Sequence, residues 1–583
     1  MEMVNLLLRD GTPMSDVGWV AVGTAIALLV GWYFYQEYQV KALLERSNIP
    51  YIGNTAQGNP LPWLGHVPTF LQWRPWDVLM EWHTRVAQSP ILAYPLFGNT
   101  MYCIASPELL KQTLQSKIAH VKKDTANVMK PFLSILGTGI VTSEDESWLK
   151  QRLKMSHPLR KDVLEIIPRQ TVIAVQRFCD TIDSCCQADD DGTTAIPLGS
   201  SLRHLTLQVI SGSFLSLSAE ESDSTFAKMY LPIVEEANSR VWHPYRAYCF
   251  FLPAFWSYHL NVYRLNRYVS QLIRKRWAQR KQEQQCNNKA GNDNTNDNNN
   301  INHHHHSRPL DMLDRVLQAY EKECPPHQMD ISSAAVRQIR DEMKTFMLAG
   351  HETSAAMMTW ALYELLQNDE LCDQVRAEAQ AVFGVDTDIQ SIQTSSTSTT
   401  TTVSAAASNK NSTNDGTKNT MEIPENLSEL VCSEACLKES LRKYNVVPLV
   451  ARRIVQDLYL QDQGKEYFIP AGSPLQVHLQ AIHRNPDIWP DPLKFDPSRF
   501  LQKDHPPAPF TFVPFIAGPR NCLGQHLALL ESKMVISMLL QRYKFKLTEE
   551  TKAMGVDPRH RYMVPVIPKD EVMVQVVGRP YKK

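Results

Sequence analysis

Three stretches of the chain carry the apolar patterns that predict its longest helices. Val17 to Gln36 is a run of twenty residues without a charge, lying between Asp16 and Glu37. Val336 to Gln367 contains no proline and is strongly apolar, which indicates one largely buried helix of about 48 Å at 1.5 Å per residue. A third apolar-rich helix is predicted from Gln525 to Tyr543.

Strand-like alternation of apolar and polar residues occurs in fewer places. It predicts strands near Ile91 to Ile104, near Leu458 to Val477 and near Val564 to Val577. Helical patterns fill most of the remaining chain. The predicted fold class is therefore mainly α with small β-sheets, preceded by one N-terminal transmembrane helix.

The uncharged N-terminal run has the length of a membrane anchor. Twenty helical residues span about 30 Å, the thickness of one hydrocarbon core. Trp19 and the pair Trp32 and Tyr33 lie near its ends, where interfacial aromatic residues are common. A cleaved signal peptide and a buried helix are the alternatives, but the run is too long for a usual signal core and no clear cleavage site follows. We expect a tail over 1–16, an anchor over 17–36, a proline-containing tether over 37–58 and a catalytic domain over 59–583.

Two polar segments do not have the composition of a packed core. Gln282 to Arg308 is rich in asparagine and includes four successive histidines, His303 to His306, while Gln390 to Thr420 consists mainly of Ser, Thr, Ala and Asn. Such segments cannot bury enough apolar surface to offset the entropy of ordering. Both are predicted to be disordered insertions, and the histidine tract is interpreted as low complexity rather than as a metal site.

Charge and cysteine content narrow the class of protein. The 583 residues include 60 basic and 61 acidic side chains, so no basic surplus suggests a nucleic-acid partner. Eleven cysteines at irregular spacing form neither a disulfide framework nor a C-x-x-C zinc pair. These features suit an enzyme that faces a reducing compartment.

One cysteine lies in a short run of residue types that together indicate a ligand loop. The run from Phe515 to Gly524 reads FIAGPRNCLG, with Cys522 next to the predicted third helix. Gly518 allows a tight or left-handed backbone. Unpaired N–H groups at the helix start, together with Arg520, would favour the thiolate over the thiol. The alternative is an ordinary buried cysteine beside a turn.

The run resembles the cytochrome P450 pattern F-x-x-G-x-R-x-C-x-G and matches it at each fixed position. The resemblance implies haem b (iron protoporphyrin IX) as the cofactor, with Cys522 as the axial ligand of the iron. It also implies that Phe515 and Arg520 contact the cofactor. A thiolate ligand pushes electron density onto iron and favours cleavage of a bound O–O bond.

Two further motifs of that family precede the loop. Trp148 and Arg152 form a W-x-x-x-R pattern on one helix face, and the family uses such a pair to hold a haem propionate. Alone, the pattern more often marks an ordinary half-exposed helix face.

The second motif, Ala349 to Ser354, lies in the predicted long helix. Its Ala349–Gly350 pair would leave room for oxygen beside the haem, and Glu352 and Thr353 would deliver protons. The alternatives are a solvated carboxylate and a threonine that bonds back to its own helix. We expect His351 to be structural.

An E-x-x-R motif and a P-x-R-F motif complete the set. Glu439 and Arg442 are expected to pair with Arg499, and we assign these three residues a folding role. Arg452 is the better candidate for a further propionate ligand, with Arg453 as the alternative. The choice is open because the chain lacks the Tyr-Pro-Pro run that the family often has after its E-x-x-R arginine.

The resemblance implies a monooxygenase that inserts one atom of O2 into a lipophilic substrate such as a fatty acid, a sterol, a carotenoid or another terpenoid. It implies a separate NADPH-dependent reductase, with cytochrome b5 as a second candidate electron donor, and an endoplasmic reticulum membrane with the catalytic domain facing the cytosol. Two alternatives stay open: a hydroperoxide isomerase or dehydratase on the same fold, and a haem-binding sensor without catalysis.

Overall fold

The fold is known from a computed structural model, which describes residues 16–53, 59–72, 74–86, 89–125, 129–160, 163–187, 194–292, 310–321, 331–384, 424, 426–502, 504, 506–561 and 565–578. The α-helices within these ranges are α1 Asp16–Arg46, α2 Val67–Gln72, α3 Pro75–Arg85, α4 Pro107–Lys111, α5 Leu133–Leu136, α6 Asp145–Arg160, α7 Val163–Gln187, α8 Leu198–Leu215, α9 Ala219–Glu221, α10 Ala227–Trp242, α11 Pro253–Asn292, α12 Met312–Glu321, α13 Ser333–Leu365, α14 Asp369–Phe383, α15 Val431–Lys443, α16 Leu479–His483, α17 Gln525–Arg542 and α18 Glu549–Lys552.

The strands form three small sheets. They are β1 Ile91–Leu96, β2 Asn99–Ile104, β3 Val121–Lys123, β4 Ala195–Pro197, β5 Leu449–Ile454, β6 Leu458–Asp462, β7 Lys465–Ile469, β8 Pro474–His478, β9 Lys544–Leu547 and β10 Met573–Gly578. A five-stranded sheet has the order β1-β2-β8-β5-β3, a three-stranded sheet the order β4-β10-β9, and β6 pairs with β7. The prediction of a mainly helical fold with small sheets is confirmed.

The chain divides into two compact units. The smaller unit contains Met1–Lys122 and Val450–His478, and the larger unit contains Lys123–Leu449 and Leu479–Lys583. Most of the long helices and all the motifs around Cys522 belong to the larger unit.

In the smaller unit, helix α3 covers one face of the five-stranded sheet. The Trp82 ring of α3 lies 5.2 Å from the Tyr94 ring of β1, measured between centroids. The Tyr94 hydroxyl donates to Gln476 Oε1 of β8 at 2.7 Å. Strands β2 and β8 are parallel, with Cys103 opposite Gln476. Side chains from three separate parts of the chain therefore meet on this face.

Helix α13 is the central element of the larger unit. The Ser332 side chain caps its first turn by accepting the Ala335 N–H at 3.1 Å. The helix is about 50 Å long, is buried over most of its length and packs against α8, α15 and α17. Near its C-terminal end, the Trp360 ring stacks on Tyr444 with centroids 4.1 Å apart. The predicted long helix is confirmed within three residues at each end.

The N-terminal run lies within α1, which extends from Asp16 to Arg46. Among the described residues, no helix is long and apolar enough to cross a membrane. Helix α11 continues to Asn292 and so includes the first eleven residues of the first segment predicted to be disordered, Gln282 to Arg308. The rest of that segment, with the histidine tract, and all of 390–420 lie outside the described residues.

Candidate functional site

Cys522 lies in a loop that turns tightly just before α17 begins at Gln525. Its backbone N–H donates to the Phe515 carbonyl at 2.9 Å, and the Asn521 N–H donates to the Gly518 carbonyl at 3.1 Å. Gly518 has a φ of +75°, a left-handed conformation that glycine adopts without steric cost. The loop therefore holds the sulfur next to the helix start, as the sequence predicted.

The Cys522 side chain is exposed, yet protein surrounds the thiol closely enough to affect its ionisation. Burial raises the pKa of the Cys522 thiol, whereas the Gly524 N–H and the Arg152 guanidinium lower it by less. The sequence assigned the nearby positive charge to Arg520, but that side chain is paired with Glu144. Without a metal the thiol form is therefore favoured, whereas the sequence predicted the thiolate. Binding of a metal ion would remove the thiol proton.

Four side chains next to this loop form what we call the loop arginine cluster: Glu144, Trp148, Arg152 and Arg520. Arg520 donates to the Glu144 carboxylate at 2.5 Å and to the Ser143 carbonyl at 3.2 Å. The carbon of its guanidinium group lies 3.8 Å from the centre of the Trp148 ring, a cation–π contact. The cluster therefore places two guanidinium groups and an indole beside the cysteine loop.

Arg152 is the member of the loop arginine cluster that binds the loop backbone. It donates through Nη1 to the Asn521 carbonyl at 2.9 Å and through Nη2 to Asn521 Oδ1 at 2.6 Å. The structure thus brings Trp148, Arg152 and Arg520 to the loop of Cys522. Sequence reasoning missed Asn521 as well as the Glu144 carboxylate, because neither occupies a fixed position in the motifs.

Helix α13 becomes accessible at one point along an otherwise buried stretch. Ala349 is exposed and Thr353 half-exposed one turn later, whereas His351 and Glu352 are buried. The Thr353 hydroxyl donates to the Ala349 carbonyl at 2.5 Å, which is the back-bonding alternative from the sequence. Accessible surface in the middle of a covered helix indicates that a ligand can lie against it.

Gly350 has a packing partner that the sequence did not indicate. A Cβ at this position would lie 2.7 Å from Cδ1 of Ile210 on α8. The missing side chain therefore lets α8 and α13 approach closely. The structure shows a packing role for Gly350, and its predicted role in leaving space beside the cofactor stays a prediction.

Glu352 makes an ion pair with a residue that sequence reasoning missed. Its Oε1 accepts a hydrogen bond from Nη2 of Arg203, on α8, at 3.1 Å. The Glu352 side chain is 2% exposed, so the alternative of a solvated carboxylate does not hold. Burial raises the pKa of Glu352, and Arg203 lowers it by less. Among the described residues, Oε2 has no hydrogen-bond partner. Such a carboxyl group is able to hold and release a proton.

His351 has the surroundings of a structural residue, as expected. Its ring is buried, with its centroid 5.7 Å from that of Tyr230. Burial lowers the pKa of His351 to about 3, so the ring is neutral at physiological pH.

Behind the loop, Glu439, Arg442 and Arg499 form what we call the structural arginine cluster. Arg442 binds the Glu439 carboxylate through two hydrogen bonds of 2.7 Å, and both side chains are fully buried. Arg499 Nε lies 3.5 Å from the same carboxylate. Arg442 also donates to three backbone carbonyls, those of His483, Pro492 and Lys494. The predicted ion pairs are confirmed.

Arg452 and Arg453 lie on β5 in the smaller unit and point to opposite sides of the strand. Arg452 is buried and donates to the Ala451 carbonyl at 2.8 Å. Arg453 is half-buried and donates to the Gly472 carbonyl at 3.1 Å. The assignment of Arg452 to a haem propionate stays a prediction.

The residues of the larger unit fit the group that the sequence motifs imply. A haem needs an axial ligand for iron, cations for its propionates and open space on a nearby wall. Cys522 offers an accessible thiol, and the loop arginine cluster offers two guanidinium groups. Ala349 and Thr353 offer accessible surface on α13. The donor set is that of a haem–thiolate site.

Comparisons with known proteins agree with this geometry. The family model for cytochrome P450 matches residues 56–399 and 418–574. A solved cytochrome P450DA heme domain has a similar fold, with a TM-score of 0.67 and 18% sequence identity over 91% of this chain and 98% of the other.

Relatives of similar length are found in insects and in humans. Cytochrome P450 4c21 of Blattella germanica is 28% identical over 503 residues, which are 83% of this chain and 86% of the relative. Cytochrome P450 4X1 of Homo sapiens is 24% identical over 518 residues, which are 87% and 88% of the two chains. Because the family model matches most of its length, the chain belongs to the cytochrome P450 family and is a haem-binding monooxygenase.

Proposed function

We propose that the protein is a membrane-anchored monooxygenase that inserts one atom of O2 into a lipophilic substrate, a fatty acid, sterol, carotenoid or other terpenoid. The observation that carries this proposal is the exposed Cys522 in a loop whose neighbouring residue, Asn521, is bound by Arg152. Haem, when bound, supplies oxygen activation by a thiolate-ligated iron. Electrons come from a separate NADPH-dependent reductase, with cytochrome b5 as a second donor.

Cys522 is the proposed axial ligand, and the loop arginine cluster is the proposed propionate site. Arg520 and Arg152 now bind oxygen atoms of the protein, and a guanidinium group can transfer such hydrogen bonds to a carboxylate with suitable geometry. Trp148 adds an indole N–H and, through the cation–π contact, keeps Arg520 in place. In this proposal, Trp148, Arg152 and Arg520 take the family's propionate-binding roles, and the resemblance to the family assigns a further one to Arg452.

Proton delivery is assigned to Glu352 and Thr353, with Arg203 as a positioning residue. Glu352 is buried, and burial raises its pKa above the ordinary value of a glutamate, which favours the protonated form. Arg203 is one-third exposed and lines a small surface cleft that Arg561 and Glu571 also line. In this proposal, solvent in the cleft reaches Arg203 and exchanges protons with its partner Glu352. The Thr353 hydroxyl, on the accessible face of α13, would complete the route after it leaves the Ala349 carbonyl.

Membrane attachment is supported by exposed apolar side chains in both units. In α1, large apolar side chains are exposed within the uncharged run: Leu28, Trp32, Phe34 and Tyr35. In the larger unit, exposed aromatic side chains are concentrated between the end of α10 and the start of α11: Tyr245, Tyr248, Phe250, Phe251 and Trp256. Aromatic residues of this kind favour the membrane–water interface. We propose an endoplasmic reticulum membrane, with the catalytic domain in the cytosol.

Turnover in lipid vesicles tests the proposal. The full chain would be reconstituted with an NADPH-dependent reductase and offered one substrate class at a time under ¹⁸O2, with and without cytochrome b5. We expect NADPH oxidation to rise with one class and the product to carry one labelled oxygen atom. Conversion of a lipid hydroperoxide without NADPH and without label would establish the isomerase alternative instead. A failure of all classes to raise NADPH oxidation would contradict the proposal.

A further inference from the structure

A second cluster of ligand-type side chains lies in the smaller unit and has no part in the haem site. It consists of His83 on α3, Cys103 on β2 and His478 on β8. One ligand atom from each residue lies within 4.8 Å of the other two. All three residues are buried, at 5%, 0% and 0% exposure.

The sheet brings two of these residues to the same face. Strands β2 and β8 are parallel, and Cys103 is opposite Gln476. Side chains alternate along a strand, so His478, two residues beyond Gln476, points to the side of Cys103. Helix α3 covers that side, and the His83 ring lies 6.1 Å from the His478 ring between centroids. The fold itself therefore makes the cluster from residues that are far apart in sequence.

The hydrogen bonding of His83 prepares its other nitrogen for a ligand. Nδ1 lies 2.9 Å from the Ser89 carbonyl, which can only accept, so Nδ1 carries the proton of the neutral ring. Nε2 then presents a lone pair, and among the described residues this buried atom has no hydrogen-bond partner. A backbone carbonyl that fixes one imidazole nitrogen while the other binds metal is the usual outer contact of a metal-ligating histidine.

We infer that His83, Cys103 and His478 form a zinc site. Two imidazoles and one thiolate are ligands that Zn²⁺ prefers, at about 2.0–2.1 Å for nitrogen and about 2.3 Å for sulfur. Tetrahedral ligands at such distances stand about 3.3–3.6 Å apart, so the cluster needs to close by about 1.5 Å at most. Cys103 releases its thiol proton to solvent when the metal binds. The bound ion joins α3 to strands β2 and β8.

Zinc content and zinc coordination of the full-length haem protein test this site. The protein would be produced in zinc-supplemented medium and washed with a chelator, because a buried ion leaves slowly. We expect about one zinc per haem, with X-ray absorption at the zinc edge giving one sulfur neighbour at about 2.3 Å and nitrogen neighbours at about 2.0–2.1 Å. Copper in place of zinc, or a zinc shell without sulfur, would overturn the assignment.

Matched variants separate this site from other zinc-binding groups. Cys103→Ala should lose the zinc, whereas Cys179→Ala, which removes an equally buried thiol from the larger unit, should keep it. Replacement of His303 to His306 by asparagine should also leave the chelator-resistant zinc unchanged. Equal zinc content in Cys103→Ala and in the unaltered protein would refute the site. If a variant fails to fold, the zinc-edge spectrum of the unaltered protein still tests the site, because it shows whether a sulfur atom coordinates the zinc.

Discussion

Two arginine–carboxylate clusters of the larger unit differ in how completely protein groups fill their hydrogen-bonding positions. They are the structural arginine cluster and the loop arginine cluster. In the structural arginine cluster, Glu439 and Arg442 are 0% exposed, and each finds several partners in fixed protein groups. In the loop arginine cluster, Arg520 and Glu144 are 13% and 21% exposed and stand beside an accessible thiol. The first arrangement holds a fold together. In the second, the arginines can exchange the protein oxygen atoms that they bind for the oxygen atoms of an anionic ligand.

The largest effect is expected when the structural arginine cluster loses a charge. Glu439→Gln leaves Arg442 buried without its carboxylate, and breaking a buried pair in this way costs about 3–5 kcal/mol. We expect a loss of that size in the free energy of unfolding, measured with urea. Glu434→Gln is the matched control on the same helix, because Glu434 pairs with Lys438 and Lys533 near the surface. If Glu439→Gln and Glu434→Gln were equally stable, the buried structural arginine cluster would contribute no more to stability than a surface ion pair.

The ion pair of Arg203 and Glu352 is intermediate in burial between the two clusters, since Glu352 is buried and Arg203 is partly exposed. We expect its loss to affect turnover more than the free energy of unfolding. Glu352→Gln keeps an acceptor for Arg203 but cannot release a proton. General acid–base contributions are about 10²–10⁴-fold. We expect kcat to fall about 10²-fold, equal to about 2.7 kcal/mol, with the haem spectrum unchanged. Glu352→Asp should restore part of the rate. A kcat within twofold of the unaltered enzyme would exclude Glu352 from proton delivery.

The loop arginine cluster should control haem affinity rather than folding. Arg152→Leu removes both hydrogen bonds to Asn521 and one candidate propionate ligand. A hydrogen bond to a charged group contributes about 1.5–3 kcal/mol, so haem dissociation should accelerate about tenfold or more. Transfer of haem to apomyoglobin measures that rate. Arg152→Lys keeps the positive charge but lacks the planar guanidinium. Its rate of haem dissociation should lie between those of the unaltered protein and Arg152→Leu. An unchanged rate in Arg152→Leu, with lowered unfolding stability, would make this cluster structural as well.

Glu531 provides a smaller test, because it is a buried carboxyl without an arginine partner among the described residues. Burial raises the pKa of Glu531 to about 8. The folded protein therefore keeps the proton that the unfolded chain loses near pH 4.3, and stability falls as pH rises between the two values, by about 1.4 kcal/mol per pH unit at most. Urea unfolding at pH 6 and pH 8 should show a loss of about 2 kcal/mol that Glu531→Gln lacks. If the free energy of unfolding fell equally with pH in the unaltered protein and in Glu531→Gln, groups other than Glu531 would cause the pH dependence.

Local sequence predicted the long elements and the motif positions, but not the partners that complete the site. Helix α13 follows from a proline-free apolar run, and the Glu439–Arg442 pair follows from helical spacing. Arg203 lies 149 residues from Glu352 and reaches it because α8 packs against α13. Such a contact depends on how helices pack, and no short-range pattern records it.

The same reason applies to the smaller unit and to the cysteine loop. The cluster of His83, Cys103 and His478 arises from a parallel pairing of β2 with β8, which the alternating pattern of either strand alone does not specify. At the loop, the sequence placed Arg520 next to the sulfur because it is two residues away. In the structure, Arg520 is paired with Glu144, and the guanidinium that lowers the pKa of the Cys522 thiol is that of Arg152.

The carbon monoxide difference spectrum of the reduced protein tests the central claim most directly, since it reports whether a thiolate ligates the haem iron. The unaltered protein should give the thiolate-type spectrum, and so should Cys186→Ser, which replaces another exposed cysteine. Cys522→Ser should lose that spectrum while the chain still folds. A thiolate-type spectrum from Cys522→Ser would contradict the account, because the iron would then have its sulfur ligand elsewhere.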